Sequence, residues 1–528
     1  MTQLIGRTGG RKVSWNTILM LCIVGLLVYR HFKMAHQSSS LVKKGISIDN
    51  LKKTKLPDDV EAAVIVEDDE HERDKVEDDH NNVISDNNVD DVQDHDTNED
   101  PNRNVSAEMA KSEGTYTFEE KSSIKWPSAV SWQRTNDSIE IYILSAFYDD
   151  RPTLGSKAAV QVLSITEEPQ VGVPAFGDIY CHLWGISEKP LVVKAERILL
   201  GVEKLKRPIK FHNKAFRSFI WSCELNRNTK IPMFVSISFR TKTATSFMPV
   251  QAPAKPKVKN DFAVCQRYFG RVDPYIIIEM MELYKILGVS KAIIYITNLS
   301  PETSKVLQHY SQEGFMELVD FPTPFESFPR FPPMHKPNHI RILQPHSYND
   351  CIYRNMYKYK YILVTDPDEI IIPLLHQTLP DMMAAIKQTK GFEDYRTFIF
   401  RNIFFFSHFP QTESESPKVT TLRFQRHLAP GNPFPAVLKA IVEPMACLGF
   451  HVHHCWKITP LAQKDMIMSK NVGLSFHYRK CHFELEQQGK CKQFLDEMII
   501  DNTMTRFKDS LIPAIKRQVK ALGMSPID

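Results

Sequence analysis

The stretch KYKYILVTDPDEIIIPL, Lys358 to Leu374, places acidic residues between two apolar segments. The run from Tyr361 to Val364 is short, apolar and β-prone, which is typical of a strand covered on both faces of a parallel sheet. Ligands of such sheets bind at the carboxyl ends of the strands. Asp366 and Asp368 are two residues apart, so an extended segment would direct both carboxylates to the same side. Because burying a bare carboxylate is costly, this pair of carboxylates needs solvation, a cation or a proton, and the rest of the chain decides which.

The segments around this stretch predict an α/β domain. Three strand-like runs, DFAVCQRYF, KAIIYITN and FMELVDF, are separated by helix-like runs from Pro274 to Leu287 and from Pro301 to Gln312. This alternation is typical of a parallel sheet with crossover helices. Neither a GxGxxG motif nor a Walker loop occurs, which argues against a dinucleotide-binding fold and a P-loop kinase.

A smaller domain is predicted before the α/β domain. Between Ser138 and Thr241, short β-prone runs are separated by turns, and this pattern predicts an antiparallel β domain. The Pro-rich segment from Phe247 to Asp261 follows it and separates the two domains. A chain of 528 residues is long enough for both.

The charge of the chain is unevenly distributed. The formal net charge is +4, but the tract from Asp58 to Asp100 contributes −17, because nineteen Asp or Glu residues stand against Arg73 and Lys75. Residues 1–57 contribute +9, which leaves +12 for the part after Asp100. The acidic tract contains too little apolar surface to form a core, so it predicts a solvated stem. The basic remainder would raise the local concentration of anions.

One apolar run has the character of a membrane segment. It is WNTILMLCIVGLLVY, Trp15 to Tyr29, with Arg11 and Lys12 before it and Arg30 and Lys33 after it. We interpret this run as an uncleaved signal anchor that attaches the chain to a membrane. The alternative is a cleaved signal peptide.

Features after the anchor predict that the body of the protein faces a secretory lumen. Sequons for N-glycosylation occur at Asn104, Asn136 and Asn298. Eight cysteines follow Cys22, and an even number fits disulfide bonds in an oxidising compartment. Cys481 and Cys491 are the favoured local pair. The alternative is eight buried free thiols in a cytosolic protein.

Seven motifs follow one another from about Ile139 to the C-terminal region: SAFYDDR (Ser145 to Arg151), YKILGVSKAIIY (Tyr284 to Tyr295), NDCIYRNMYKYKYILVTDPDE (Asn349 to Glu369), FRNIFFF (Phe400 to Phe406), KAIVEP (Lys439 to Pro444), GFHVHH (Gly449 to His454) and HYRKC (His477 to Cys481). Together they resemble the successive motifs of glycosyltransferase family 92. Relatives read Asp-x-Asp-Glu-Phe where this chain has Ile370 after Glu369, a conservative departure that retains the carboxylates.

The resemblance implies an α/β fold of the GT-A type, which is the fold of nucleotide-diphospho-sugar transferases. With the composition of the chain it predicts five regions: a cytoplasmic tail at 1–12, a transmembrane signal anchor at 13–33, a disordered acidic stem at 34–114, a β-rich accessory domain at 115–255 and a GT-A-like transferase domain at 256–528. The expected location is the Golgi membrane, as a single-pass type II protein with its body in the lumen.

The resemblance further implies an inverting enzyme that transfers galactose in β linkage from UDP-galactose to a glycan acceptor, using Mn²⁺ and no nucleic acid. Asp366 and Asp368 would bind the metal. A C-terminal histidine often completes the metal site of this fold, and His451 is our candidate, with His453 next. The alternatives for these histidines are ordinary packing or a separate zinc site. Glu369 points to the opposite face of the strand and is interpreted as structural.

Further site residues follow from the same resemblance. Asp350 and Arg354 would lie near the nucleotide, although residues four apart on a helix also form simple ion pairs. Lys439 and Arg479 are candidates for binding the diphosphate, which gains charge as it leaves. An inverting displacement also needs a carboxylate base, for which the sequence offers only the candidates Glu443 and Asp394.

Two other classes of function are compatible with the sequence. One is a non-catalytic, lectin-like lumenal protein with a degenerate transferase fold, against which the intact Asp366 and Asp368 argue. The other is a metal-dependent phosphotransferase that uses the same acids. Release of UDP, in place of phosphate or UMP, would separate these classes.

Overall fold

The computed structural model describes residues 131–135, 139–168, 177–200, 209–211, 214–239, 246–324, 338–412, 418–429, 438–462, 465–481, 486 and 489–527. The predicted tail, anchor and stem, and the sequons at Asn104 and Asn136, lie outside the described residues. Among the residues that are described, no helix is long and apolar enough to cross a membrane. The third sequon, at Asn298, is exposed.

The first ten strands form one sheet. They are β1 (Gln133–Arg134), β2 (Ile141–Asp149), β3 (Lys157–Glu168), β4 (Tyr180–Trp184), β5 (Leu191–Lys194), β6 (Glu196–Leu199), β7 (Ile209–Phe211), β8 (Lys214–Asn226), β9 (Phe234–Ser238) and β10 (Met248–Gln251). The main order is β5-β4-β9-β10-β2-β3-β8-β6, with β1 beside β2 and β7 beside β8.

The antiparallel arrangement predicted for Ser138 to Thr241 is correct for every pair of strands described there. The Pro-rich segment predicted to separate the domains, however, contributes β10 to this sheet. β2 and β10 are parallel, with Ala146 opposite Val250. A parallel pair needs a long connection, and here strands β3 to β9 lie between the two partners in the sequence. Local patterns of turns and β-prone runs do not record such a long-range pairing, so the prediction missed it.

The later strands are β11 (Asn260–Gly270), β12 (Lys291–Leu299), β13 (Met316–Asp320), β14 (Tyr359–Val364), β15 (Glu369–Pro373), β16 (Thr397–Phe406), β17 (Arg426–Leu428), β18 (Leu438–Val442), β19 (Cys447–Phe450), β20 (Cys455–Ile458), β21 (Met466–Ile467), β22 (Gly473–Arg479) and β23 (Met498–Ile500). Nine of them form the second sheet, in the order β13-β12-β11-β14-β18-β16-β22-β15 with β21 beside β16. β17 pairs with β23, and β19 pairs with β20.

The second sheet confirms the predicted α/β character. β13, β12, β11 and β14 are parallel neighbours. Beyond β14 the sheet is mixed, since β18 is antiparallel to both β14 and β16. β22 is parallel to β16, and β15 is antiparallel to β22.

The helices are α1 (Pro274–Ile286), α2 (Pro301–Gln312), α3 (Asn338–Asn355), α4 (Leu379–Gln388), α5 (Thr420–Arg423), α6 (Lys490–Gln493) and α7 (Lys508–Ala521). The two crossover helices begin where local signals predict. Asp273 caps α1 by accepting a hydrogen bond from the Tyr275 amide, and Ser300 caps α2 through the amide of Thr303. In both helices a proline follows the cap, which suits the first helical turn.

Helix α3 packs against both sheets. The Tyr353 ring stacks on Phe147 of β2 with 5.6 Å between centroids, and both residues belong to a core cluster that also contains Ala263 of β11 and Val364 of β14. A disulfide bond between Cys265 and Cys351 links β11 to the same helix. The helix is thereby fixed beside the carboxyl end of β14.

All eight cysteines after Cys22 form disulfide bonds. The pairs are Cys181–Cys223, Cys265–Cys351, Cys447–Cys455 and Cys481–Cys491. The predicted local pair is therefore confirmed, and the alternative of free thiols is wrong.

Candidate functional site

The acidic stretch lies at the carboxyl end of a buried strand, as predicted. Ile362, Leu363 and Val364 of β14 are completely buried. The chain then turns, because the Glu369 amide donates to the Asp366 carbonyl at 3.1 Å. The prediction of an extended segment between Asp366 and Asp368 is wrong, since this turn directs the two carboxylates to different partners.

Lys439 of β18 lies between two of the carboxylates. Its Nζ is 2.9 Å from Asp366 Oδ2 and 2.8 Å from Glu369 Oε2, and its side chain is only 1% exposed. Burial opposes its charge, but Asp366 and Glu369 more than compensate and raise the pKa of Lys439. The ammonium therefore stays protonated and holds the two acids together.

Glu369 is the buried centre of this arrangement. Besides Lys439, it contacts His477 Nδ1 at 2.9 Å and accepts a hydrogen bond from the Asn402 side chain at 3.0 Å. Although burial opposes its ionisation, Lys439 and His477 hold the pKa of Glu369 well below its usual range. Its side chain is 1% exposed. The prediction that Glu369 points to the opposite face is wrong, because Lys439 also contacts Asp366 and His477 also contacts Asp368.

His477 connects Glu369 to Asp368. Its Nε2 lies 3.3 Å from Asp368 Oδ2. Burial favours the neutral imidazole, but Glu369 and Asp368 raise the pKa of His477 to about 9. Asp368 itself is 41% exposed, so it is the member of the group most open to a ligand.

Asp366 is held from the other side by helix α3. Its Oδ1 accepts hydrogen bonds from Gln344 Nε2 at 2.7 Å and from the Tyr348 hydroxyl at 2.8 Å. Its carboxylate is 30% exposed. Both oxygens of Asp366 therefore have protein partners, whereas Asp368 contacts His477.

These groups define the charged cluster: Asp366, Asp368, Glu369, Lys439 and His477. Three carboxylates stand against one ammonium and one imidazolium, so the cluster carries a net charge of −1 when His477 is protonated. A net negative site at the end of a sheet strand attracts cations and repels a bare diphosphate.

Asp350 and Arg354, the two residues predicted to lie near the nucleotide, are both buried. Asp350 is completely buried, and Arg354 Nη2 lies 2.9 Å from its Oδ2. The Tyr295 hydroxyl also donates to Asp350 at 2.5 Å. This is the simple ion pair that we kept as the alternative, and it fixes α3 against β12.

The predicted C-terminal histidine lies near the cluster. Burial and the nearby Lys439 ammonium lower the pKa of His451 to about 4, and its ring is 5.9 Å from that of His453. His453 bonds to the Leu438 carbonyl at 3.0 Å. In the described part of the chain, however, the imidazole that contacts Asp368 belongs to His477.

Arg479 follows His477 on β22 and is half-buried, with Nε bonded to the Lys480 carbonyl at 3.2 Å.

The two candidate bases lie away from the charged cluster. Glu443 pairs with Lys387 and Arg396, and Asp394 is exposed in the turn before Arg396. Glu443 follows Val442, which pairs with Ile362, so it lies near the start of β14, roughly 16 Å along the strand from Asp366.

The sequence interpretation missed three residues of the site. His477 lies within the HYRKC motif, but only Arg479 of that motif was assigned a role. Gln344 and Tyr348 reach Asp366 because they lie four residues apart on one face of α3. That spacing was visible in the sequence, but nothing local indicated that the face meets β14.

Comparison with known proteins agrees with a transferase. Residues 260–519 match the family model of glycosyltransferase family 92. No curated protein matches the chain. The crystal structure of S. aureus TarS 1–349 is similar at 11% identity and a TM-score of 0.24, covering 49% of this chain and 72% of that one; a similarity this low adds nothing to the fold described above.

The chain thus contains a glycosyltransferase domain. More specifically, residues 260–519 form a glycosyltransferase family 92 domain, which confirms the family resemblance of the motifs.

Proposed function

We propose that the protein is an inverting glycosyltransferase that transfers galactose in β linkage from UDP-galactose to a glycan acceptor on a glycoprotein or glycolipid. The observation that carries the proposal is the half-exposed Asp368, the most exposed member of the charged cluster in the family-92 domain. The choice of donor sugar and linkage rests on the family resemblance.

Mn²⁺ is part of this proposal. Within the described residues, no three His, Cys, Asp or Glu side chains are grouped as a complete metal site. The donor chemistry nevertheless fits Mn²⁺, because Asp368 offers an exposed carboxylate and hard divalent cations prefer oxygen ligands. Asp368 would hold the ion, with Asp366 near it, and donor phosphates and water would complete the coordination. The protonated His477 would orient the Asp368 carboxylate.

The charge of the cluster explains why a cation is needed. A net charge of −1 would repel the diphosphate of a nucleotide sugar. A bound divalent cation supplies Lewis-acid stabilisation of the charge that develops on the leaving diphosphate. Lys439 and Glu369 hold Asp366 and the Asp368 turn in position, and Arg479, two residues after His477 on β22, is our proposed partner for the diphosphate.

The proposed location is the Golgi lumen, with the Trp15 to Tyr29 run as a signal anchor. Four disulfide bonds in the body support this proposal, because such bonds persist in oxidising compartments. An amidase that removes a glycan from Asn104 or Asn136 would test the orientation, since a body facing the cytosol would carry none.

The function is tested with the full chain in a screen of UDP-sugars, with Mn²⁺ or with a chelator. We expect acceptor-dependent release of UDP, fastest with UDP-galactose and abolished by the chelator. Release that is indifferent to the chelator would contradict the metal-dependent proposal. Glycan binding without any transfer would favour the lectin-like alternative, and release of phosphate or UMP would favour a phosphotransferase.

A further inference from the structure

A polar cavity lies near the start of β14, at the opposite end of this strand from the charged cluster. Its volume is about 430 Å³, and its lining residues are Lys259, Lys360, Tyr361, Lys387, Glu393, Arg396, Glu443 and Met445. Tyr361 lies near the start of β14, whereas Asp366 follows the end of this strand. Five extended residues span roughly 16 Å, so the cavity is separate from the charged cluster.

One carboxylate in the cavity already holds two of the bases. Glu443 Oε1 is 2.7 Å from Lys387 Nζ, and its Oε2 is 3.2 Å from Arg396 Nη1. Lys387 also donates to the carbonyls of Glu393 and Tyr395, at 3.1 and 2.6 Å. Lys387 is thus fully engaged, while Arg396 uses one of its five N–H donors on Glu443.

Two other donors face the cavity without a protein partner. The half-buried Lys259 makes no ion pair or hydrogen bond with any residue in the described part of the chain, and burial lowers its pKa. The Tyr361 hydroxyl likewise has no hydrogen-bond partner among the residues that the structure describes. Its ring stacks on Phe262 with 5.0 Å between centroids, which fixes the position of the hydroxyl.

The charges of the cavity favour an anion. Lys360 is neutralised by Asp261, 2.7 Å away. The Glu393 carboxylate accepts a hydrogen bond from the Gly391 amide at 2.7 Å. The bases Lys259, Lys387 and Arg396 then stand against the acids Glu393 and Glu443, a surplus of one positive charge, because a hydrogen bond from a backbone amide leaves the Glu393 carboxylate charged. A half-buried, unpaired ammonium beside a partly free guanidinium is a strong arrangement of donors for an oxyanion.

We propose that this cavity binds a phosphate or sulfate group, with Lys259, Arg396 and Tyr361 as its donors. Glu443 is the internal carboxylate that competes with the ligand for Arg396. The ligand is either the free ion or an ester on a small sugar, since the chemistry of recognition is the same for both. The site is independent of the proposed transfer reaction.

The test is calorimetric titration of the full chain at constant ionic strength with inorganic phosphate, glucose 6-phosphate and uncharged glucose. We expect saturable binding of phosphate and none of glucose. Tighter binding of glucose 6-phosphate than of phosphate would identify a sugar ester, and equal binding would identify the free ion.

Variants assign the binding to this cavity. Lys259→Met and Arg396→Gln should each weaken phosphate binding about tenfold or more, as expected for loss of a charge-assisted hydrogen bond. Lys157→Met is the matched control, because it removes an exposed lysine from the other sheet and should leave the affinity unchanged. Glu443→Gln should strengthen binding, because it removes the competing charge.

An unchanged affinity of Lys157→Met separates this site from general attraction to a basic surface. Stronger binding by Glu443→Gln separates it from binding at the charged cluster, which lacks Glu443. The proposal is overturned if wild type shows no saturable phosphate binding. It is also overturned if Lys259→Met and Arg396→Gln both bind as wild type does, or if Glu443→Gln weakens binding.

Discussion

Two groups of buried charges in this protein contain similar side chains but differ in their exposure to solvent. We call the completely buried group the closed pair. In the ion pair of Asp149 and Arg151, at the end of β2, both side chains are 0% exposed. In the charged cluster, Lys439 is 1% exposed but Asp368 is 41% exposed. Both groups lie in motifs that resemble family 92, so the sequence alone does not rank them.

The closed pair is not available to a ligand, because it is completely buried and four of the five N–H donors of Arg151 bond to protein atoms. Arg151 donates to both oxygens of Asp149, at 2.8 and 2.6 Å, and to the carbonyls of Pro444 and Cys447, at 2.6 and 2.7 Å. These carbonyls follow β18, so the pair links the ten-stranded sheet to the nine-stranded one. The comparison teaches that a buried charge is structural where protein atoms saturate it, and available for chemistry where one member reaches solvent.

The largest expected effect is on stability, at the closed pair. Arg151→Met would leave the Asp149 carboxylate buried without a cation, which costs about 3–5 kcal/mol in comparable cases. The free energy of unfolding from denaturant titration measures the loss. Lys157→Met serves as the control, and an Arg151→Met variant as stable as this control would refute the structural role.

The second prediction concerns the exposed end of the charged cluster. Asp368→Asn should lower UDP-sugar transfer on the order of 10²-fold or more, the size typical of removing an electrostatic element of the transition state. Its unfolding midpoint in chelator should stay at the wild-type value, since the side chain is half-exposed and two acids remain nearby.

Glu224→Gln is the matched control for this variant, because Glu224 is an exposed acid on the other sheet. It should change neither activity nor stability. Near-wild-type turnover of Asp368→Asn would show that Asp368 of the charged cluster has only a structural role, like the closed pair.

A third buried acid, Glu279, extends the comparison because no cation bonds to it among the residues that the structure describes. Glu279 of α1 is 1% exposed and accepts hydrogen bonds from the amides of Thr420 and Thr421, at 2.8 and 2.6 Å. Burial raises the pKa of Glu279 to about 7 against these hydrogen bonds. Glu369 is equally buried, but Lys439 and His477 move its pKa in the opposite direction.

This difference predicts a pH dependence. Because the folded-state pKa of Glu279 is raised, its contribution to stability is present below about pH 4.5 and is lost as the pH rises through about 7. The difference in unfolding free energy between wild type and Glu279→Gln should therefore change by ~2.5 kcal/mol between pH 5 and pH 8. A pH-independent difference in unfolding free energy would show that the pKa of Glu279 is not raised in the folded protein.

The smallest effect is expected at an exposed ion pair. Lys157 and Glu224 are 2.6 Å apart, but their side chains are 59% and 57% exposed. Removing either charge should change the free energy of unfolding by less than about 1 kcal/mol. A larger loss, measured by the same denaturant titration, would mean that burial does not separate structural charges from surface ones here.

Much of the α/β sheet could be predicted from local sequence. The helices α1 and α2 begin at Asp273-Pro274 and Ser300-Pro301, where a capping side chain precedes a proline. The run from Tyr361 to Val364 is apolar, and Ile362, Leu363 and Val364 are buried on both faces of the sheet. These features are predictable because hydrophobic periodicity and capping act over a few residues.

The partners of the acids could not be predicted in this way. Lys439 is 73 residues from Asp366 in the sequence, and His477 is 109 residues from Asp368. Both contacts depend on strand register: β18 is antiparallel to β14, and His477 lies opposite Glu369 across β15 and β22. Register over such separations is fixed by packing of the whole sheet, which leaves no local trace.

The sequence by itself determined that Asp366 and Asp368 follow a buried strand, and the resemblance of its motifs identified the family. The tertiary structure alone decided which of these acids stays open. The turn closed by the Glu369 amide separates the two carboxylates, and α3 and Lys439 then saturate Asp366 while Asp368 remains half-exposed. The physical reason is that the availability of a charge depends on which distant donors reach it, and packing decides that.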